Sequence, residues 1–401
     1  MKKAISFIVP FVMLLFLALT GCTEQYVLQT NTFESAIVVE ATLTNELKQQ
    51  QIKITRTYRL EESGPTIESG AEVNVTDDNG IVYHFEEDNG IYLSTTAFEA
   101  KPETVYRLSI VTNDGKSYSS SAEKLTPVNT MQSVVPTIQY RNGVKGVGIV
   151  INSFDPTATS QFYRYEYEET YKIIAPQWDD ERAILAPFVP GETQGILVIP
   201  RVGETRTCYT TKNSDDIIQT TTNGQGEDRV NYAVRFISSK DPIITHRYSI
   251  LVRQYVQNLA AYTFYKTLKE LSGSESILSQ NQPGFFYGNV RSTDNPNEKV
   301  VGFFEVASVS SQRIFFNFTD LFPQDPLPPY FTDCKVEEFL YCFDQEFNPN
   351  CKGAALNSIV GSGSLVYVDS DFQQTIFFMV APPCGDCTRI SSNIRPSFWI
   401  D

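Results

Sequence analysis

Apolar and polar residues alternate along most of the chain after residue 32, which predicts β-strands with one buried face. In the longest case, 161–174, Tyr163 and Tyr165 alternate with Arg164 and Glu166. The predicted strands are 33–44, 51–60, 146–155, 161–174, 229–237, 246–256, 300–309, 311–320, 364–371 and 375–381. The last strands before the cysteine-rich region, 300–309 and 311–320, are predicted to pair as a hairpin. The fold class is therefore mainly β.

Glycine-containing turns separate the strands in the first part of the chain. They are Asp-Asn-Gly at 78–80 and 88–90 and Asn-Asp-Gly at 113–115. Asn-Gly and Asp-Gly pairs favour the tight turns of β-hairpins. Their acidic residues could instead bind calcium, but they lack the alternating spacing and distal glutamate of an EF-hand. Strands separated by such turns predict a small β-sandwich over 33–127.

One segment has the periodicity of an amphipathic helix instead. Its apolar stripe, which is predicted to face the core, consists of Ala261, Phe264, Tyr265, Leu268 and Leu271. Asn258 can cap the start of this helix and Gly273 its end. We therefore divide the rest of the chain into a second β-rich domain, 128–280, with a helix near 258–272, and a C-terminal β-rich region with disulfides, 281–401.

The N-terminus has the form of a bacterial lipoprotein signal. Two lysines precede an apolar run, and the segment ends in Leu-Thr-Gly-Cys at 19–22, which matches a lipobox. We therefore expect 1–21 to be a signal peptide, Cys22 to carry the acyl chains that anchor the protein to a membrane, and 22–32 to be a tether. The alternative is an ordinary secretory signal with a cysteine there by chance.

Composition and charge restrict the kinds of partner. The chain has 27 Phe and 21 Tyr but only 4 Met, which is typical of β-rich exported proteins. The net charge of −15 opposes binding to nucleic acid and to anionic lipid surfaces. We therefore expect no nucleic-acid partner, and contact with a membrane only through the lipid anchor.

Six cysteines remain once Cys22 is set aside: Cys208, Cys334, Cys342, Cys351, Cys384 and Cys387. The last two form a C-x-x-C pair, which could be half of a zinc site, a redox centre or part of a disulfide framework. The spacing of the other cysteines disfavours zinc, and the lack of a following helical pattern disfavours a redox centre. In an exported protein we expect structural disulfides, with at least one of this pair bonded to Cys208 or to a cysteine in 334–351. The full connectivity stays open.

No catalytic, metal or cofactor site is predicted. The sequence Gly-Ser-Gly-Ser at 361–364 lacks the order of a nucleophile elbow and is interpreted as a turn. His84 and His246 are interpreted as surface or packed residues. Trp178 beside Asp179 and Asp180 could stack on a sugar and hydrogen-bond to it; the alternative is that Trp178 anchors a loop.

Five longer segments resemble one known family. They are CYTTKNSDDIIQTTTN, RYSILVRQYVQNLAAYTFYKTLKEL, QPGFFYGNV, NPNEKVVGFFEVASVSSQRIFF and CGDCTRISSNIRPSFW. In these residues the chain resembles the Bacteroidota outer-membrane lipoproteins of the family called domain of unknown function 4249, over most of the mature chain. It departs from the family at 391–393, where Ser-Ser-Asn replaces residues that are commonly glycine.

The resemblance implies an immunoglobulin-like or carboxypeptidase-regulatory-like sandwich at the N-terminus and a genomic setting near TonB-dependent outer-membrane receptors. We therefore expect such a receptor as partner, and from the strand pattern we expect further sandwich-like regions in the rest of the chain. The resemblance implies no catalytic residues. We therefore expect a non-enzymatic outer-membrane lipoprotein, lipid-anchored and exposed at the cell surface, that captures or gates a nutrient such as a peptide or glycan. The alternatives are a structural accessory of an outer-membrane complex and a carboxylate-dependent hydrolase.

Overall fold

The computed structural model describes residues 35–58, 62–190, 195–272, 286–341 and 353–401. The predicted signal peptide, Cys22 and the tether lie outside these residues, as do Cys342, Cys351 and Gly273. Within them the protein is mainly β, as the alternating pattern predicts. No helix in this part of the chain is long and apolar enough to cross a membrane.

The strands, numbered along the chain, are β1 (Ile37–Thr44), β2 (Gln51–Arg56), β3 (Thr66–Ile67), β4 (Glu72–Asp77), β5 (Val82–Asp88), β6 (Ile91–Ser94), β7 (Val105–Val111), β8 (Ser117–Ser120), β9 (Glu123–Lys124), β10 (Met131–Arg141), β11 (Val144–Asp155), β12 (Phe162–Ile174), β13 (Glu181–Leu185), β14 (Ile196–Pro200), β15 (Thr207–Asn213), β16 (Ile218–Thr221), β17 (Asp228–Ser238), β18 (Arg247–Gln257), β19 (Val290–Ser292), β20 (Val300–Ala307), β21 (Val309–Asn317), β22 (Glu337–Leu340), β23 (Val366–Ser370) and β24 (Ile376–Val380). The helices are α1 (Leu259–Ser272), α2 (Phe318–Leu321), α3 (Gly353–Ser362) and α4 (Pro382–Gly385), with 3₁₀ turns at Pro242–Ile244 and Cys387–Arg389.

The first sheet is barrel-like and nearly closed. Its strands follow the order β19-β8-β7-β4-β5-β6-β2-β1-β20, with β3 beside β2 and β9 beside β7. The predicted hairpin turns are present: Gly80, Gly90 and Gly115 have φ angles of 82°, 85° and 83°, which glycine adopts without strain. The sheet encloses an apolar core that includes Tyr106 and Phe304.

This sheet closes where the chain before β19 meets β20. The side chain of Asn289 pairs with the backbone of Phe304: Nδ2 donates to the carbonyl oxygen and Oδ1 accepts from the N–H, each at 2.7 Å. A β-carbon on Gly288 would lie 1.5 Å from the carbonyl oxygen of Gly302. Since only glycine fits at position 288, direct backbone contact completes the closure.

The middle of the chain forms a β-sandwich. One sheet has the order β10-β11-β17, and the other has β15-β12-β18-β21 with β16 beside β12. Residues of both sheets bury a common core that contains Tyr163 and Tyr165. Arg164 and Glu166 of β12 lie on the opposite side of their sheet, so the alternation in β12 is confirmed.

The predicted hairpin of 300–309 with 311–320 is wrong. β20 pairs in parallel with β1 of the first sheet, whereas β21 pairs antiparallel with β18 of the sandwich. The single residue between them, Ser308, is buried; its N–H donates to Thr126 Oγ1 at 2.9 Å and its Oγ donates to the Pro127 carbonyl at 2.6 Å. One residue is too short for a hairpin turn, so the chain passes from one sheet directly into the next.

A smaller C-terminal module consists of the hairpin β13–β14, the sheet β22-β24-β23 and helix α3. Its core includes Leu356, Phe377 and Met379. Helix α3 was not predicted from the sequence, which indicated only a turn at 361–364. The helix continues to Ser362, and the turn lies at Gly363, where φ is 68°.

Two disulfides attach the end of the chain to the fold. Cys208 of β15 bonds to Cys387, and Cys334 bonds to Cys384 of α4, across 179 and 50 residues of sequence. Both cysteines of the C-x-x-C pair therefore bond to cysteines earlier in the chain. The sequence predicts such a bond for at least one of them. Trp399, near the C-terminus, is buried in the same region.

The predicted amphipathic helix is present as α1. The N–H of Ala261 donates to Asn258 Oδ1 at 2.8 Å, so Asn258 is the N-cap. Ala261 and Phe264 are buried, and the ring of Phe264 lies 5.4 Å from that of Phe303 in β20. This packing places α1 beside both the first sheet and the sandwich.

Candidate binding cleft

A concave site with a volume of about 770 Å³ lies between the first sheet and the sandwich. One wall is the outer face of β1 and β2, the other is the outer face of β12 and β18, and α1 contributes the residues Phe264, Tyr265 and Leu268. We call this site the cleft. Its volume falls within the range of roughly 300–1,000 Å³ that is usual for small-ligand sites.

A buried arginine forms the floor of the cleft. Arg164 Nη2 lies 2.7 Å from Glu305 Oε1, and both side chains are almost fully buried, with 9% and 3% exposed. A second ion pair joins Arg164 to Glu166. The guanidinium also lies over the rings of Tyr255 and Tyr265, at 4.4 and 4.9 Å from their centroids. These contacts fix the arginine in one position.

Glu305 connects the two walls because it belongs to β20 of the first sheet while Arg164 belongs to β12. Its oxygens also accept hydrogen bonds from Thr42 Oγ1 at 3.0 Å and from Gln257 Nε2 at 3.1 Å. Thr42 lies in β1 and Gln257 in β18. The carboxylate therefore receives donors from three strands, which compensates the cost of burying its charge.

The tyrosines on the floor remain protonated at neutral pH. Burial raises the pKa of Tyr255 to about 12, with the charge of Glu166 acting in the same direction. Its hydroxyl donates to Glu166 Oε2 at 2.9 Å. Burial alone would raise the pKa of Glu166, but the charge of Arg164 and its hydrogen bond lower that pKa below the ordinary value. Glu166 is thus ionised, and it faces the cleft as an acceptor.

Several ion pairs surround the opening of the cleft. Arg253 binds Glu46 through two hydrogen bonds, at 3.1 and 3.2 Å, and Lys48 lies 2.7 Å from the same carboxylate. Lys53 and Glu40 form an exposed pair on the wall of the first sheet, 3.2 Å apart. Positive and negative side chains therefore alternate around a floor that is partly apolar.

The residues that the sequence proposed for sugar binding do not line the cleft. Trp178 packs against the core of the sandwich, and its Nε1 donates to Thr205 Oγ1 at 2.9 Å, as expected of a loop anchor. Asp179 accepts a hydrogen bond from the N–H of Glu181 at 2.9 Å, and Asp180 is exposed. All three stay in one loop, beside the two disulfides, since the N–H of Gln177 donates to the Cys384 carbonyl at 2.9 Å.

The histidines lie apart from the cleft and from each other. His84 is exposed on β5 with Nδ1 at 2.6 Å from Asn74 Oδ1. His246 precedes β18, and burial together with the charge of Lys172 lowers its pKa. Over the described residues, no group of three or more His, Cys, Asp or Glu side chains has the arrangement of a metal site.

Sequence reasoning missed the cleft because its walls come from distant segments. One signal was available: the even-numbered positions of β12 carry Arg164, Glu166 and Glu168, and three charges on one face of a central strand need partners or solvent. The pairing of β12 with β18, which supplies Arg253 and Tyr255 opposite them, was not deducible from the pattern.

Comparisons with known proteins identify a family but no activity. The model of the family described as "Domain of unknown function (DUF4249)" matches residues 23–313. No curated protein matches the chain. Among solved structures, the chain has 7% identity and a TM-score of 0.18 to trypsin-activated alpha-2-macroglobulin from Escherichia coli, covering 57% of this chain and 15% of that one. That similarity is too weak to support any functional argument. The family model spans most of the chain, and the protein therefore belongs to the family of domain of unknown function 4249.

Proposed function

We propose that the protein is a non-enzymatic outer-membrane lipoprotein that captures or gates a nutrient together with a TonB-dependent receptor. In this proposal the cleft holds the nutrient, and acyl chains on Cys22 hold the protein at the cell surface. The observation that carries the proposal is the cleft itself, which is large enough for a ligand and has a floor fixed by the Arg164–Glu305 pair. The lipobox and the resemblance described above support the location and the partner.

The charges of the cleft favour a peptide over a neutral glycan. Lys53 and Glu40 lie on one wall, and Glu166, Glu168 and Arg253 lie on the other. A peptide presents both signs of charge at its termini and side chains, whereas a neutral glycan offers only hydroxyl groups. The apolar side chains of α1 at the same site match the apolar residues of a peptide.

The binding part of the proposal is tested by calorimetry on the purified mature protein. A pool of short peptides should bind, and a pool of neutral oligosaccharides of similar size should not. Lys53→Glu reverses a charge on the cleft wall and should weaken peptide binding by about tenfold, which corresponds to roughly 1.4 kcal/mol. Lys124→Glu is the matched control, because Lys124 is a similarly exposed lysine paired with Glu103 outside the cleft.

The outcomes separate the alternatives. If Lys53→Glu and Lys124→Glu weaken peptide binding equally, the peptide binds outside the cleft. Hydrolysis of the bound peptide would favour the hydrolase. An absence of binding to either pool, with a receptor still recovered from membranes, would favour the structural accessory.

The anchor and the partner need tests in cells. Cys22→Ser should release the protein from the outer membrane or leave an unprocessed precursor, since the acyl chains have no other attachment in this proposal. Crosslinking of native membranes should recover a TonB-dependent receptor with the wild-type protein. If the Cys22→Ser variant fractionates with the outer membrane as the wild type does, the anchor part of the proposal is wrong. If the crosslinks contain no such receptor, the partner part is wrong.

A further inference from the structure

Another concave site lies in the C-terminal module, and its lining residues differ from those of the cleft. It has a volume of about 130 Å³ and is lined by three arginines, Arg182, Arg201 and Arg389, together with Asp386. We call it the arginine pocket. It is notable because the chain as a whole carries a net charge of −15. A concentration of guanidinium groups in a concavity of an acidic protein indicates an anion as the missing partner.

Arg201 is fixed at the edge of this pocket by backbone groups. Its Nε donates to the Glu181 carbonyl at 2.9 Å and its Nη2 donates to the Tyr367 carbonyl at 3.2 Å. Burial lowers the pKa of Arg201; the charges of Asp386 and Asp179 oppose this effect, whereas those of Arg182 and Arg389 add to it. The carboxylates present thus leave the guanidinium short of compensating charge.

The one acidic residue in the lining is mostly occupied by other groups. Asp386 Oδ1 accepts hydrogen bonds from the N–H and the hydroxyl of Thr388, at 3.0 and 2.5 Å. Its Oδ2 forms a long ion pair with Arg389 Nε, 3.8 Å away, which is too long for a hydrogen bond. Arg389 keeps 52% of its side chain exposed, and Arg182 is exposed as well. Both arginines therefore have donors that can turn toward a ligand.

The disulfides hold this arrangement in place. Asp386 lies between Cys384 and Cys387, and each of these cysteines is bonded to a different part of the fold. Asp386 is therefore constrained on both sides, and Arg389 lies two residues after the second cysteine. This gives the C-x-x-C pair a role beyond attachment of the chain end, because it positions two residues of the pocket.

We infer that the arginine pocket binds a phosphate monoester. Three arginines against one aspartate leave an excess of two positive charges in the lining, and a phosphate monoester carries about −1.5 to −2 at pH 7. The carboxyl end of α3, near Gly363, offsets about half a charge at most. A carboxylate or a sulfate ester, with a single negative charge, would neutralise less of the excess. The small volume admits the phosphate group while the rest of the ligand stays outside.

The experiment uses calorimetry and thermal melting on the mature protein at constant ionic strength. The probes are inorganic phosphate and glucose 6-phosphate, with glucose 6-sulfate, which carries a single negative charge, and glucose as controls. Phosphate and glucose 6-phosphate should bind and raise the melting temperature more than glucose 6-sulfate does. Arg389→Gln and Arg182→Gln should each weaken this binding by about tenfold or more, since each removes a charge-assisted donor. Arg229→Gln, an exposed arginine paired with Glu227 outside the pocket, should leave it unchanged.

A second arm identifies the source of the phosphate. Vesicles that contain phosphatidic acid present the monoester on a lipid, and vesicles of phosphatidylcholine do not. Binding of the soluble protein to the first kind alone, lost in Arg389→Gln, would assign the pocket to a lipid headgroup; binding of glucose 6-phosphate would assign it to a soluble phosphate. The inference would be overturned if glucose 6-sulfate had the same effect as glucose 6-phosphate. It would also be overturned if phosphate bound equally well to Arg389→Gln, Arg182→Gln and the wild type. None of these results depends on what the cleft binds.

Discussion

The floor of the cleft and the C-terminal module are both places where separate parts of the chain meet, but they are held by different means. At the floor, β12 and β20 meet through the buried pair of Arg164 and Glu305, between two large apolar cores. In the C-terminal module the core is small. Among the described residues, six buried apolar side chains form it, compared with twenty in the first sheet.

The difference shows how core size determines the need for covalent links. Burial stabilises by roughly 25 cal/mol per Å² of apolar surface, so a cluster of six side chains provides much less than one of twenty. Small units of this kind are commonly stabilised by disulfides. The Cys334–Cys384 bond lies at the edge of the C-terminal module, and the Cys208–Cys387 bond is buried where the end of the chain meets the core of the sandwich. In the described chain the first sheet carries no disulfide and is closed by packing, by backbone contact and by the side chain of Asn289.

The largest effect is expected at the cleft floor. Arg164→Met should lower the free energy of unfolding by about 3–5 kcal/mol, because it leaves Glu305 buried without its cation. Urea unfolding of the purified protein measures this loss. The double variant Arg164→Met/Glu305→Leu should recover much of it, since replacing both charges removes the unpaired group. A double variant less stable than the single one would show that the floor is not joined by this pair.

The next effect is expected at the disulfides. Removing the Cys334–Cys384 bond with Cys334→Ser and Cys384→Ser should cost about 2–4 kcal/mol, because the bond closes a long loop in the unfolded chain. Hydrogen exchange should quicken in the C-terminal module, from β22 to β24, and stay unchanged in the first sheet. Equal acceleration in both regions would remove the contrast between them.

A smaller effect is expected at the helix that joins the cleft walls. Asn258→Ala removes the N-cap of α1 and should cost about 1 kcal/mol. Asn258→Ser keeps a capping oxygen and should cost less, which makes it the matched control. Thermal melting of the two variants beside the wild type measures both. If they melt alike, the cap hydrogen bond contributes nothing to α1.

The sequence predicted the local features of the fold and missed the distant ones. The turns at Gly80, Gly90 and Gly115 and the cap at Asn258 depend on neighbouring residues, so composition and periodicity suffice to find them. The partner of β20 does not depend on neighbours. Its parallel pairing with β1 joins residues more than 250 positions apart, and no local pattern distinguishes it from a hairpin with β21.

The candidate sites were less predictable than the fold for the same reason. Trp178 and its neighbouring acids form a candidate site in the sequence because they are adjacent, but the cleft is assembled from seven separate segments of the chain. The arginines at 182, 201 and 389 are likewise scattered along the sequence, and only the fold brings them to one pocket. The even count of cysteines made disulfides predictable, while their connectivity required the fold.

We propose that the cleft between the first sheet and the sandwich is the ligand site, and hydrogen exchange of the mature protein with and without a bound peptide from the peptide pool tests this proposal. We expect slower exchange in α1, in the turn between β1 and β2 that carries Lys48, and at residues 213–217, all of which line the cleft. Exchange around Lys124 and in the C-terminal module should not change. Slower exchange confined to regions outside the cleft would show that the peptide binds elsewhere.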